Sequence, residues 1–398
     1  MPGPLTVLCI TSYEKGQEFM RECKRLGCRV VLLTLEKRSG ANWPRESLDD
    51  ICYMPENLTR EQMIHAVTYL ARKTRLDRIV ALDEYDMEAA AELREHMRIP
   101  GMGATTLRYF RDKLAMRERA RSAGLRVPPF CPVINHDDLR LYMERVTPPW
   151  VLKPRSEASA IGIRKLQHED ELWPLLTDLG DKQSYFVLEK FLPGDVYHVD
   201  GIISENQVLF AEAHKYGVPP MQVSQEGGIF VTATVDRASQ ESRDLHTQFN
   251  GLMRALGFVR GVTHTEFIRA HADGQFYFLE AAARVGGAYI SDVIEAATGI
   301  DLWREWARIE VLGAKYQLAL ARQDHAGIIL TLARQEYPDT SAYDDLEIVA
   351  RPGKRHHAGL IVKSENAQRV SQLLESYSQR FTRDYYTSQP APAEKPTD

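Results

Sequence analysis

The stretch GVTHTEFIRAHADGQFYFLEAAARVGG, residues 261–287, decides the fold of this chain. It predicts two β-strands joined by a tight turn at residues 272–274. If the strands pair symmetrically about Asp273, Glu266 lies directly opposite Glu280 on the same face, because alternate residues of a strand share a face. Two carboxylates held opposite each other repel unless a cation compensates them. The hairpin therefore predicts a cation site of the kind that Mg²⁺ uses when it also holds nucleotide phosphates.

Arg284 adds a positive charge to this hairpin. It follows Glu280 by four residues, and its guanidinium suits a phosphate group. The alternative is an exposed hairpin whose two glutamates simply face water. The hairpin alone does not choose between these two interpretations.

Length and composition indicate an ordinary globular protein with room for two or three domains. The chain has 398 residues, 44% of them hydrophobic and 26% charged, and a net charge of −5. This charge gives no general attraction to nucleic acid or to an anionic membrane. The apolar runs are only strand-length, so no membrane span is expected. Five cysteines without a CxxC pair favour reduced thiols in a cytoplasmic protein.

The order of strand and helix patterns predicts an α/β protein. Residues 1–103 alternate strands and helices, which predicts a small parallel sheet covered by helices. The first strand-to-helix turn of this part lacks GxGxxG, so we expect it to serve a substrate rather than a dinucleotide. A mixed unit of strands and helices follows, and the end of the chain, TSQPAPAEKPTD, is too polar and proline-rich to order itself.

Two segments between these units bear on function. Thr105 and Thr106 can cap a helix that runs to about Ala123, and Lys113 then lies inside it. Residues 216–228, YGVPPMQVSQEGG, are too polar and too rich in Pro and Gly for regular structure. A loop of this length inside a compact domain is often functional.

Two strand-and-turn segments could bind a nucleotide. In WVLKPRSEASAIGIRKL, residues 150–166, Lys153 ends a buried strand and precedes a loop of small residues. Backbone amides of such a loop can cradle phosphate, although a plain hairpin turn is the alternative. In FVLEKFLPGDVYHVDG, residues 186–201, extended backbone beside an apolar wall can bond an adenine edge. The alternative there is a strand and turn with charged flanks.

Together with the hairpin, these segments resemble the ATP-grasp superfamily of carboxylate ligases over about residues 104–315. EKFLPGDVYHVDG resembles the hinge strand of that superfamily, and GVTHTEF and FLEAAARVGG resemble its metal-binding strands. The likeness is strongest to the subgroup that contains biotin carboxylase and the bacterial L-amino-acid ligases, which are dipeptide synthetases. It implies a Rossmann-like domain at 1–103, an α+β ATP-grasp domain at 104–320 with a lid at about 127–192, a C-terminal α/β domain at 321–387 and a disordered tail at 388–398.

The resemblance also implies a role for each matching residue. Arg284 would steady the transferring phosphoryl group, and residues 156–162 would form a mobile phosphate loop. The metal ligands would be Glu266 and Glu280. The nucleotide would contact Lys113, Lys153, Ser156, Ser159, Gly162, Glu189, Lys190 and Leu192, with Asp195 or His198 near the ribose.

One position departs from the superfamily. Ala282 stands where an asparagine usually supplies a metal ligand. In the symmetric pairing His264 lies across from Ala282 on the same face. We therefore expect His264, a water molecule or the substrate to fill the gap.

The function that the resemblance implies is an ADP-forming ligase that uses ATP with Mg²⁺ or Mn²⁺. A small carboxylate, expected to be an amino acid, becomes an acyl phosphate and is joined to an amine, which gives an amide or dipeptide. A biotin-carboxylase-like or purine-pathway enzyme, or a nucleotide-binding regulatory protein without turnover, are the alternatives. The expected partners are small-molecule substrates, with no nucleic acid and no membrane, and a homodimer is left open.

Overall fold

The first hundred residues form a parallel sheet with helices packed on it, in a computed structural model that describes residues 3–157 and 161–388. The elements are β1 (Thr6–Thr11), α1 (Gln17–Arg25), β2 (Arg29–Leu35), β3 (Asp50–Met54), α2 (Arg60–Ala71), β4 (Arg78–Ala81) and α3 (Met87–Met97). The strand order is β3-β2-β1-β4. β1 and most of β2 are buried, as expected for parallel strands covered on both faces.

The next part of the chain forms a small antiparallel sheet of order β5-β8-β6-β7. Its elements, with the helices before and within it, are α4 (Ala104–Leu107), α5 (Lys113–Ser122), β5 (Phe130–Pro132), α6 (His136–Arg145), β6 (Trp150–Pro154), β7 (Arg164–Leu166), α7 (Leu172–Leu179) and β8 (Phe186–Lys190).

The single helix predicted from Thr105 to about Ala123 is wrong. Asp112 has an extended backbone, and its side chain accepts hydrogen bonds from the backbone N–H groups of Leu114 and Ala115. An aspartate in this geometry caps a new helix, so the chain turns between α4 and α5. Lys113 is consequently the first residue of α5.

Nine strands of the described residues form a central sheet of order β13-β12-β9-β10-β11-β14-β17-β15, in which β16 pairs with β17. Its elements and the helices around it are β9 (Gly194–Ser204), β10 (Gln207–Tyr216), α8 (Pro220–Glu226), β11 (Phe230–Thr234), α9 (Gln240–Leu256), β12 (Gly261–Ala270), β13 (Phe276–Ala282), α10 (Ile290–Thr298), α11 (Leu302–Leu312), β14 (His325–Leu332), β15 (Ile348–Ala350), β16 (Gly353–Lys354), β17 (His357–Ser364) and α12 (Ala367–Asp384).

The strands after residue 320 continue the central sheet, because β14 pairs with β11. The α/β fold class is confirmed, with one parallel and two antiparallel sheets. The domain bounds stay a prediction. None of the helices in the described part of the chain combines the length and the apolar character that a membrane crossing requires.

The β12–β13 hairpin has the predicted pairing at its centre. Glu266 lies opposite Glu280, and His264 lies opposite Ala282. Beyond Glu266 the register shifts by one residue, so that Phe267 pairs with Phe278. The hairpin is therefore bulged rather than symmetric about Asp273. The extra residue of the bulge lies between the turn and the two glutamates, and it is what brings Glu266 opposite Glu280.

The segment 216–228, predicted to be irregular, contains α8. Two prolines stand at its start, where the missing N–H is no loss and the fixed φ suits a helix. Gly227, with φ 77°, ends it. None of its residues is buried, so the helix lies on the surface of the protein.

The two faces of the central sheet differ in character. One face carries apolar side chains such as Tyr197 and Phe267, which are packed in a core that includes Phe249 of α9. The opposite face, called the polar face here, carries His198, Asp200, His264, Glu266 and Glu280. Strand alternation therefore puts the hairpin glutamates and two histidines on one surface.

Candidate active site

A cavity of about 680 Å³ is lined by residues of both antiparallel sheets and of α8. Its volume lies in the range of small-molecule sites. Apolar residues of its wall include Val151, Ile163, Leu192 and Ile268. The charged or ionisable side chains of its wall include Lys113, Lys153, Glu189, His264, Glu266, Glu280 and Arg284.

The two hairpin glutamates have different neighbours in this cavity. Glu266 Oε1 accepts a hydrogen bond from Tyr216 OH at 3.0 Å. Glu280 Oε2 lies 2.8 Å from Lys113 Nζ. Burial would raise the pKa of Glu280, but the ammonium group of Lys113 and other cations lower it to about 2. Glu280 is therefore ionised at neutral pH.

Lys113 links this carboxylate to the start of the predicted phosphate loop. Its Nζ also donates to Glu157 O at 2.7 Å, and its backbone N–H donates to Arg155 O at 2.8 Å. Arg155 forms an ion pair with Asp112, the cap of α5. The first turn of α5 thus fixes where the loop begins.

Lys153 belongs to a buried group of three charges at the end of β6. Its Nζ lies 2.7 Å from Glu189 Oε2, and Arg117 Nε lies 3.1 Å from Glu189 Oε1. Burial lowers the pKa of Lys153 to about 8, since the attraction of Glu189 only partly offsets the loss of water. Two cations around one carboxylate leave a net positive charge at this wall.

Arg284 is held by a residue of the N-terminal sheet. Its Nε donates to Glu84 Oε2 at 2.7 Å, and Arg111 Nη1 donates to Glu84 Oε1 at 2.7 Å. Arg111 Nη2 in turn donates to Ser156 O at 2.7 Å. Glu84 therefore connects Arg284 with the phosphate loop.

The sequence reasoning missed Glu84, Arg111 and Arg117. A signal for Glu84 was available, because it follows β4 at the carboxyl edge of a parallel sheet, where ligand sites gather. Arg111 immediately precedes the selected pair Asp112-Lys113. Arg117 had no signal, since it reads as one basic residue on a solvated helix face.

A buried network lies behind the hairpin glutamates on the polar face. His264 Nδ1 donates to Asp200 Oδ1 at 2.9 Å, and His198 Nδ1 donates to Asp200 Oδ2 at 2.6 Å. Burial opposes a charge on His264, but Asp200 and then Glu266 raise its pKa to about 10. His264 Nε2 lies 3.6 Å from Glu266 Oε1.

Several predicted nucleotide-binding residues occupy other positions. Asp195 pairs with Lys215 at 2.8 Å, and His198 is fully buried within the polar face, so neither lines the cavity as a ribose contact would require. Ser156 accepts from Arg111 through its backbone oxygen. Ser159 lies outside the described residues.

The remaining predicted positions lie on or beside the cavity wall. Lys190 and Leu192 line it, but Lys190 Nζ donates to Thr147 O at 2.6 Å and Pro148 O at 2.9 Å. Gly162 has φ +73°, and a Cβ there would approach Pro154 Cγ to 2.9 Å. A side chain at position 162 would therefore be both strained and crowded.

Comparison with known proteins finds relatives both in sequence and in structure. No protein-family profile matches the sequence. The chain is 28% identical over 242 residues to the L-arginine-specific L-amino acid ligase of Bacillus subtilis. This alignment covers 59% of this chain and 58% of that protein. The matched region spans less than two thirds of each of two curated relatives, 58% of this ligase and 56% of an alanine–anticapsin ligase of B. subtilis (strain 168).

Solved structures match over nearly the whole chain. The L-amino acid ligase from Bacillus licheniformis aligns with a TM-score of 0.78 at 18% identity, over 98% of this chain and 100% of that one. The biotin carboxylase domain of the Hydrogenobacter thermophilus 2-oxoglutarate carboxylase, solved with MgADP and bicarbonate, aligns with a TM-score of 0.73 at 16% identity, over 98% and 91%.

Proposed function

Since this chain has the ATP-grasp fold and is related in sequence to ATP-grasp ligases, we propose that it is an ADP-forming ligase that joins a small carboxylate to an amine. One observation carries the proposal. The paired glutamates Glu266 and Glu280 open into the same cavity as Lys113, Lys153 and Arg284. This combination suits a nucleotide whose phosphates are held by cationic groups.

The reaction that we propose has two steps. An oxygen of the substrate carboxylate attacks the γ-phosphorus of ATP, the bond to the β-phosphate oxygen breaks, and ADP and an acyl phosphate result. The amine then attacks the acyl carbon, loses a proton and expels phosphate, which leaves an amide. Phosphoryl transfer needs positioning and charge stabilisation rather than covalent help from the protein.

The basic residues of the cavity supply that charge. Lys113 and Lys153 both line the cavity and would bind phosphate oxygens. Arg284, fixed at Nε by Glu84, would stabilise the negative charge on the phosphoryl group in transfer. Such fixed groups act strongly because they need no reorganisation during the reaction.

The carboxylates of Glu266 and Glu280 fit a hard divalent cation, for which oxygen donors are preferred. A bound Mg²⁺ would neutralise phosphate charge and orient the nucleotide. Tyr216 orients Glu266 by its hydrogen bond, and Lys113 keeps Glu280 ionised. These contacts prepare both carboxylates for a cation.

For the base of the nucleotide we propose the apolar part of the cavity wall. Val151, Ile163 and Leu192 would pack on the adenine ring, and backbone groups of Lys190 and Leu192 would bond its edge. Backbone recognition leaves Glu189 free for its ion pairs with Lys153 and Arg117.

Water must be excluded, because it would hydrolyse an acyl phosphate. α8 lines the cavity and touches the small antiparallel sheet, where Gln225 Nε2 donates to Ile163 O at 3.3 Å. We propose that α8 and the segment around residue 163 close over the nucleotide during turnover.

Amino acids are the substrates that we propose, because the relatives in sequence and in structure include L-amino acid ligases. The five cysteines are free thiols, which supports a reducing, cytoplasmic location for the reaction.

The test is a screen of amino-acid pairs for ADP release in the presence of ATP and Mg²⁺. At least one pair should stimulate ADP release and yield a dipeptide or amide of the expected mass. Glu280→Gln should abolish that release with the fold intact by circular dichroism. Glu205→Gln, on the exposed β9–β10 turn of the same sheet, serves as the matched control. Unchanged activity in Glu280→Gln would refute the metal assignment.

A nucleotide-binding protein without turnover is the second candidate. Ala282, which brings no ligand atom to the hairpin, favours it. In that case MgADP should bind with micromolar affinity by calorimetry while no amino-acid pair releases ADP. Binding and turnover together would exclude this candidate.

A further inference from the structure

We propose that His264 is a third protein ligand of the cation held by Glu266 and Glu280, and that its imidazole makes this site prefer Mn²⁺ over Mg²⁺. This inference rests on the metal site of the proposed function and extends it to the identity of the metal.

The position of His264 on the hairpin is the first reason. It lines the cavity two residues before Glu266 on β12, and therefore on the same face. Its Nε2 lies 3.6 Å from Glu266 Oε1. The residue across from it, Ala282, ends β13 with a methyl group. At this rung of the hairpin the imidazole is the side chain that can donate an electron pair, once a bound cation displaces the proton from Nε2.

The orientation of the ring is the second reason. Asp200 accepts the Nδ1–H of His264 at 2.9 Å, and Asp200 itself is fully buried. A carboxylate behind Nδ1 turns Nε2 towards Glu266, as in the carboxylate–histidine–metal arrangement of many metalloproteins. Gly286 packs closely against this pair of side chains. A Cβ at position 286 would lie 3.0 Å from His264 Nδ1 and 3.2 Å from Asp200 Oδ1.

His198 is close by but has a supporting role. The donor atoms of His198, Asp200 and His264 all lie within 4.8 Å of one another. Both ring nitrogens of His198 are already engaged, with Asp200 at 2.6 Å and Thr232 at 2.8 Å. Its ring is stacked on His214 at 4.8 Å and is fully buried. His198 thus fixes Asp200, and Asp200 fixes His264.

The donor set decides the metal. Mg²⁺ prefers an all-oxygen octahedron and retains its water, whereas imidazole nitrogen suits transition metals. Two carboxylates and one imidazole therefore favour Mn²⁺, which accepts nitrogen and still binds carboxylate and phosphate oxygens. Removal of the imidazole should remove the preference and spare the oxygen ligands.

Binding without turnover tests the preference. Free Mn²⁺ is measured by its EPR signal while Mn²⁺ is titrated into protein and ADP, and Mg²⁺ is then added as competitor. We expect the ratio of Mn²⁺ to Mg²⁺ affinity to fall by about tenfold in His264→Ala. His271→Ala, an exposed histidine just past the end of β12, should keep the wild-type ratio. An unchanged ratio in His264→Ala would overturn the preference.

Pulsed EPR tests the ligation itself. Protein labelled with ¹⁵N-histidine should show a ¹⁵N coupling to bound Mn²⁺, distinct from the ¹⁴N of adenine, and His264→Gln should lose it while still binding ADP. If wild-type protein binds Mn²⁺ and ADP without this coupling, His264 is not a ligand and the ligase proposal is untouched. If wild-type protein binds neither, the proposed function itself fails.

Discussion

At the scale of single residues, carboxylates hold the lysine side chains of the cavity in place. Lys113 is paired with Glu280, and Lys153 is paired with Glu189. A cation bound at Glu280 would compete for that carboxylate and free Lys113 to face phosphate. Lys153 has no such exchange, because Glu189 is also held by Arg117. The two lysines are therefore expected to respond differently to metal and to pH.

The affinity for ADP should fall as the pH rises through about 8, where Lys153 loses its proton. The sign follows from burial, which lowers the pKa of this lysine so that its charge disappears above that pH. Lys153→Arg should flatten the profile, because a guanidinium stays charged. Calorimetry from about pH 6.5 to 9.5 measures this, well below the usual lysine pKa. Lys215→Arg, outside the cavity, is the control and should keep the slope.

Loss of Arg117 should destabilise the fold. The side chain is fully buried against Glu189, and Arg117→Met leaves that carboxylate with a single cation. Breaking a buried pair in this way typically costs about 3 to 5 kcal/mol, and the remaining lysine favours the lower end. Urea unfolding measures the change. The double variant Arg117→Met/Glu189→Gln should recover part of the loss, and a double variant as unstable as the single one would contradict this explanation.

At the scale of elements, the central sheet depends on a close contact between β9 and α9. A Cβ at Gly201 would lie 2.4 Å from Phe249 Cζ. Gly201→Ala should therefore reduce the free energy of unfolding by about 1 to 3 kcal/mol, the usual effect of overpacking. Phe249→Leu in the same chain should restore part of it. Gly287→Ala, with no atom within 4 Å of the new methyl group, should change stability little.

Some features of the strands and helices could be predicted from the sequence pattern, and others could not. Symmetric pairing about Asp273 predicted Glu266 opposite Glu280, and the structure has this pair, although the register nearer the turn differs by one residue. Alternation then puts Glu266 and His264 on one face, because the period of a strand is fixed by covalent geometry. The bulge beyond Glu266 left no sequence pattern by which to predict it. The break at Asp112 was missed because a capping aspartate and a solvated helix residue look alike without the backbone.

At the scale of the whole molecule, Glu84 joins the N-terminal sheet to the cavity. Its carboxylate accepts hydrogen bonds from Arg284 and from Arg111, two residues that are far apart in the sequence. Glu84→Gln removes the charge that fixes both guanidinium groups and keeps the shape. We expect a fall in turnover of about tenfold or more, in line with the 1.5 to 3 kcal/mol of a charged hydrogen bond.

The affinity for ADP should stay close to wild type in Glu84→Gln, since Lys113 and Lys153 remain in place. Steady-state kinetics of ADP release and calorimetry together measure the two effects. Glu88→Gln is the control, because Glu88 lies 3.9 Å from Arg111 and is half-exposed. Equal losses in both variants would mean that Glu84 has no special part in holding Arg284.

The sequence by itself determined the elements whose signal is local. A hairpin centred on the turn at Asp273 predicted Glu266 opposite Glu280 and His264 opposite Ala282, and the order of strands and helices predicted the α/β class. Only the tertiary structure decided which distant charges meet, such as Glu84 with Arg284 and Arg117 with Glu189. The reason is physical: local geometry is set by neighbours along the chain, whereas burial of a charge is set by what packs against it.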